Sequence, residues 1–117
     1  MERRRLIRLE VDDFLEITPL NESANLISAR SKNFSLMGIC FSSFVEWRKG
    51  QVLLVDYFLP EALDSVKLKL VVIWSEYIGE KEGYFCGGEI IDVEKDKEEK
   101  FAHYYLQKLK EKFFKNE

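Results

Sequence analysis

The chain has 117 residues and a formal net charge of -3 at pH 7; 46% of its residues are hydrophobic, 14% aromatic and 33% charged. That size and apolar content fit one domain around one core, residues 1–117. A pI near 5.3 argues against a general nucleic-acid binder, which wants a broad basic face. No apolar run approaches membrane-span length, and Glu10, Asp12, Asp13 and Glu16 break up the segment that a signal-peptide core would need. The expected location is therefore the cytoplasm, with no membrane insertion.

Leu9 to Thr18 places Val11, Leu15 and Ile17 at strand spacing, with Phe14 out of step, and stops at Thr18-Pro19. A polar turn over residues 19–23 leads into a second strand, Ala24 to Lys32, paired antiparallel with the first. Ser35 to Phe41 reads as a third strand around Gly38, and a glycine inside a strand marks a bulge or a close approach by another group. After the turn Trp47-Arg48-Lys49-Gly50 comes an apolar strand, Gln51 to Leu59, closed by Pro60. Val66, Leu68, Leu70, Val72 and Trp74 then alternate with Lys67 and Lys69 in the cleanest strand of the chain. A charged turn over 79–83 precedes a last strand, Tyr84 to Val93, in which Gly87-Gly88 predicts a bend.

From residue 96 to 114 the period changes. Phe101, Tyr105, Leu109 and Phe113 recur every four residues between lysine-rich faces, which predicts an amphipathic helix covering a sheet opening or a partner. Asp96 and Glu99 offer a capping-box-like start. Six strands followed by one helix predict an all-β fold, a small six-stranded antiparallel barrel over residues 9–93 with a C-terminal α-helix.

Two segments carry chemistry. Residues 1–8 hold Arg3, Arg4, Arg5 and Arg8, a local reversal of sign on an acidic chain, with Arg4 and Arg8 forming R-x-x-x-R. A guanidinium pairs with phosphate as a fork, matches the O6 and N7 acceptors of guanine, and stacks on a base. The second segment is Asn33, Ser35 and Gly38, an N-x-S-x-x-G pattern. Asn33 offers donor and acceptor to a base edge or orients an arginine, Ser35 supplies a hydroxyl, and Gly38 admits ligand or backbone. On a strand, Asn33 and Ser35 share a face, which would make them one wall of a pocket, with Gly38 on the opposite parity unless a bulge intervenes.

Other candidates point to no chemistry. Cys40 and Cys86 lie far apart among hydrophobic neighbours, with no C-x-x-C and only His103 as an imidazole, so they are expected as reduced thiols rather than a zinc site. His103 falls on the polar side of the helix, and Trp74 at the core or its rim. Asp12 and Asp13 have no base or nucleophile pattern beside them. No enzyme, metal or cofactor is expected.

The paired motifs resemble the PilZ domain family, small six-stranded barrels that bind the bacterial messenger cyclic di-GMP. The resemblance covers nearly the whole chain. Beside Arg4-Arg5-Leu6-Ile7-Arg8 and Asn33-Phe34-Ser35-Leu36-Met37-Gly38 it includes Gly50 before an apolar strand, Val71-Val72-Ile73-Trp74, and Tyr84-Phe85-Cys86-Gly87-Gly88-Glu89-Ile90-Ile91. It implies that Arg4 and Arg8 hold phosphates and guanine while Asn33, Ser35 and Gly38 receive a guanine on the barrel surface. Arg5 adds positive charge. Arg3, just before the motif, resembles members that capture two stacked copies of the messenger. One departure is Gly87-Gly88-Glu89-Ile90, where the family more often has a single glycine leading to phenylalanine.

The function implied is a non-catalytic receptor or effector domain. Its flexible arginine segment, residues 1–8, would fold over cyclic di-GMP and change the surface offered to an unidentified protein partner in motility, adhesion or biofilm-type signalling. The alternative is a protein-interaction module of pilus or flagellar assembly with a vestigial ligand site. A single-strand nucleic-acid binder is a further alternative that the acidic pI disfavours.

Overall fold

A computed structural model describes residues 7–20 and 26–114. Six antiparallel strands form a closed barrel: β1 (Leu9–Pro19), β2 (Ile27–Phe34), β3 (Gly38–Ser43), β4 (Val52–Leu59), β5 (Asp64–Gly79) and β6 (Gly83–Val93). A 3-10 turn (Lys95–Lys97) leads into helix α1 (Glu98–Phe114). The order around the barrel is β1-β2-β3-β6-β5-β4, so every strand pairs with two neighbours.

The alternation in the sequence sets the inside and the outside. Leu53, Val55, Tyr57 and Leu59 of β4 point inward beside Val66, Leu68, Leu70 and Val72 of β5, and all eight are buried. Fully burying one such side chain is worth roughly 1.5–3 kcal/mol. The intervening Lys67 and Lys69 face out. Phe34 stands at the centre, its ring 5.6–5.8 Å from those of Tyr57, Phe101, Tyr104 and Tyr105.

One inward position carries a charged side chain. Asp13 follows an irregularity in the β1–β2 pairing between Glu10 and Asp13, and its carboxylate sits inside the barrel mouth. The hydroxyls of Tyr57 and Tyr104 both donate to Asp13 Oδ2 at 2.7 Å, and Ser31 Oγ lies 3.3 Å from the Tyr57 hydroxyl. A buried carboxylate needs such donors to offset its lost hydration. Burial and then the Asp13 charge push the Tyr57 phenol far above its usual range; burial and then the hydrogen bond to Asp13 do the same for Tyr104. Both hydroxyls therefore keep their protons and stay donors.

Helix α1 closes this mouth. Phe101, Tyr104 and Tyr105 are buried and Leu109 partly so, whereas Phe113 is exposed, so the predicted stripe holds for three turns and then leaves the barrel. Tyr104, which the four-residue period does not pick out, stacks on Phe34. The helical stretch starts at Lys95 rather than at an Asp96 cap: Glu94 precedes it without a side-chain cap, held instead by bonds between its backbone and side chain and the backbone of Lys67. Asp64 ties the start of α1 to β5 through Lys97 at 2.9 Å and Lys100 at 2.7 Å.

Several strand ends differ from the sequence reading, β2 for example running to Phe34 rather than Lys32, and two of the differences shape the surface. Ser35 to Met37 form a turn between β2 and β3 rather than the start of β3. β5 runs five residues past Trp74, and together with β6 makes a hairpin longer than the barrel requires.

Candidate functional site

The site is built on the β2–β3 hairpin. Ser31 pairs with Phe41 on the inner face, yet two residues later Asn33 pairs with Cys40. The pairing shifts between Ser31 and Asn33, so a bulge at Lys32 turns the Asn33 side chain outward while Ser31 and Phe34 stay inside. Next comes the turn. The Ser35 N–H donates to the Gly38 carbonyl at 2.9 Å, and Ser35 Oγ accepts from the Met37 N–H at 3.1 Å. Ser35 is buried, so its hydroxyl shapes the turn. The expectation that Ser35 shares a strand face with Asn33 is corrected on this point, because β2 ends at Phe34 and Ser35 turns in to satisfy an otherwise unpaired N–H.

Gly38 is a close-approach glycine. A Cβ there would come within 2.7 Å of the Gly88 carbonyl oxygen and 3.2 Å of Arg8 Nη2. Even alanine would press the neighbouring strand and the arginine away.

These features converge on Arg8. Its Nη1 donates to Asn33 Oδ1 at 2.9 Å and lies 3.5 Å from the Gly38 carbonyl. Both acceptors are neutral, and the guanidinium is exposed at the foot of β1. Of the two uses that the sequence suggests for Asn33, the structure displays the second, in which the amide oxygen orients an arginine and leaves the NH2 group facing out. Just before Arg8, the Ile7 carbonyl accepts from the Tyr105 hydroxyl of α1 at 2.7 Å. Ile7, at the end of the arginine segment, is thus joined to the helix by a hydrogen bond.

Arg8, Asn33 and Gly38 are therefore brought together. Arg3, Arg4 and Arg5 lie outside the described residues.

The outer face around Asn33 forms a cross-strand row that the sequence reading did not assemble: Glu10, Asn33, Cys40, Gly87 and Trp74 on β1, β2, β3, β6 and β5. Gly87 belongs to the pair of glycines that departs from the family pattern, and its lack of a side chain lets the Trp74 indole lie flat on the strand; a Cβ at Gly87 would run into that ring. Cys40 is half-buried beside Arg8 and Lys32; burial raises its thiol pKa, against the lowering effect of those two cations. Cys86, on the inner face, is pushed up to about 12 by burial first and by Cys40 second. Neither thiol is activated. His103 is exposed, as its helical position predicts. Among the described residues no three His, Cys, Asp or Glu side chains converge as a metal site would require.

No protein-family profile matches the chain, and no curated protein matches it in sequence. A solved structure does. The chain is similar to the Bacillus subtilis inhibitor of motility, MotI/DgrA, with a TM-score of 0.74 over 93% of this chain at 18% identity. It spans about half of that protein, 52% of its length. What the two share is the fold. No helix among the described residues is long and apolar enough to cross a membrane.

Proposed function

We propose that this chain is a PilZ-like receptor domain for cyclic di-GMP that acts by regulating a partner protein. The observation that carries the reading is the Arg8–Asn33–Gly38 cluster: the two sequence motifs, 25 residues apart, meet at a 2.9 Å hydrogen bond on the outer barrel wall. Arg8 enters that contact with one nitrogen and, among the described residues, keeps its other donors for a phosphate or guanine fork. Asn33 keeps its NH2 for a base edge, and Gly38 keeps the floor low.

The wall lacks a nucleophile paired with a base, which favours binding over catalysis. Arg4, with Arg3 and Arg5 adding charge, would supply the remaining guanidinium contacts from the leader, as the motif implies. The Ile7–Tyr105 bond gives the conformational part a route: pulling the leader toward a ligand would strain or break this hydrogen bond between Ile7 and α1. The solved neighbour is described as an inhibitor of motility, and control of motility is the process we assign to this chain.

Calorimetry tests the reading. Wild-type protein is expected to bind cyclic di-GMP, and Arg4→Ala and Arg8→Ala each to weaken binding roughly ten- to hundred-fold, the equivalent of about 1.5–3 kcal/mol for a hydrogen bond to a charged group. Wild-type-like titrations in both variants, or heat with GTP and none with cyclic di-GMP, would overturn it.

A further inference from the structure

The barrel has two places where strand edges part, and they are treated differently. β4 pairs with β1 only from Leu15 to Pro19, and α1 docks at the mouth opened above Leu15. β5 pairs with β4 only from Asp64 to Val71. Beyond that point, residues 73–79 hydrogen-bond to β6 on one side and, among the described residues, to no backbone on the other. Natural sheets blunt such an edge with lysine, proline, bulges or cover. Here register shifts against β6 at Ile73 and Ile78 bracket a regular stretch, Trp74–Tyr77, that contains neither lysine nor proline.

The side chains along this edge are apolar and accessible: Ile73, Trp74, Tyr77 and Ile78 are 41–57% exposed. They are also held in place. Trp74 rests on Gly87, and the Tyr77 and Tyr84 rings meet edge to face at 5.3 Å. Charge then selects the occupant. Glu76 lies on the outer face with Trp74, it has no cationic partner among the described residues, and Glu80 follows at the hairpin turn. A second copy pairing edge to edge would bring these carboxylates together, which strands disfavour. A strand with a basic residue between apolar ones on the matching face would neutralise Glu76 and cover Trp74.

We infer that residues 73–78 are a docking edge for an extended, basic-apolar segment of a partner protein, which adds to β5 as a further strand. The inference rests on the hairpin and needs no nucleotide, although Trp74 and Gly87 also belong to the outer row beside Asn33. A capped, fluorescein-labelled peptide alternating Thr-Val-Thr-Arg-Thr-Val-Thr provides the probe, titrated to millimolar concentration and followed by polarisation and by backbone amide exchange. The expected result is saturable binding with exchange slowed at least about ten-fold within residues 73–79. Glu76→Lys, checked by circular dichroism for an unchanged fold, is expected to lose that peptide and to prefer the version with glutamate at its centre. Absence of binding by either peptide, a preference indifferent to the charge swap, or protection elsewhere on the barrel would overturn the proposal. So would sedimentation showing wild-type dimers that Glu76→Lys changes, since the occupant would then be a second copy.

Discussion

Two polar clusters sit back to back on β1 and β2, one inside the barrel and one outside. Inside, Asp13 receives two tyrosine hydroxyls, and Ser31 completes the group. Outside, Arg8 meets Asn33 and the Gly38 carbonyl, both neutral, and stays exposed. The inner cluster joins β1, β2, β4 and α1 and has no donor to offer a ligand. Among the described residues the outer cluster joins Arg8 to one hairpin and keeps its donors. Polar residues on the same two strands thus divide between holding the fold and facing solvent, and the bulge at Lys32 makes the division.

The sharpest way to break this comparison is Asp13→Ala. It strands the buried Tyr104 hydroxyl and leaves the Tyr57 hydroxyl only Ser31 Oγ at 3.3 Å; a buried unsatisfied group costs about 1–3 kcal/mol, and urea denaturation should show a loss of at least that order. Affinity of the remaining folded protein for cyclic di-GMP should change by less than about three-fold. Arg8→Ala should do the reverse, leaving stability within about 0.5 kcal/mol, as for other exposed sites, while affinity falls as described above.

Ser35 lies between the two classes. If its hydroxyl serves the turn, Ser35→Ala should cost about 1 kcal/mol of stability, the worth of one hydrogen bond, with any loss of affinity following from a looser turn. A ligand contact alone would leave the urea midpoint unmoved.

The six strands and the helix were legible because the alternation in β4 and β5 and the four-residue period of α1 are local signals. Asn33, Gly38 and Arg8 stand out in the sequence by their chemistry, and the structure brings the three together. What the sequence could not display was parity: the bulge at Lys32 shifts the faces, and only cross-strand pairing brings Cys40, Gly87 and Trp74 into line with Asn33. The interior role of Asp13 was hidden for the same reason, since its partners lie 44 and 91 residues away.

A smaller effect concerns how α1 is held. Hydrogen bonds from Lys100 and then Lys97 hold the Asp64 carboxyl well below the ordinary carboxylate value of 3.8. A depressed folded-state value means that the contribution is complete above the unfolded value and fades as pH falls through the folded one. Below about pH 4 the start of α1 should therefore loosen. Near-ultraviolet circular dichroism of the tyrosines during an acid titration would follow this. A change confined to pH above 5 would contradict the assignment to Asp64.

The most direct measurement is a two-dimensional NMR titration of the labelled chain with cyclic di-GMP. The account predicts that the Asn33 side-chain amide, the Gly38, Cys40 and Gly87 backbone amides and the Trp74 indole N–H shift together, with little change at Asp13, Ser31 and Tyr57. No shifts at saturating messenger, or shifts centred away from the outer row, would contradict it.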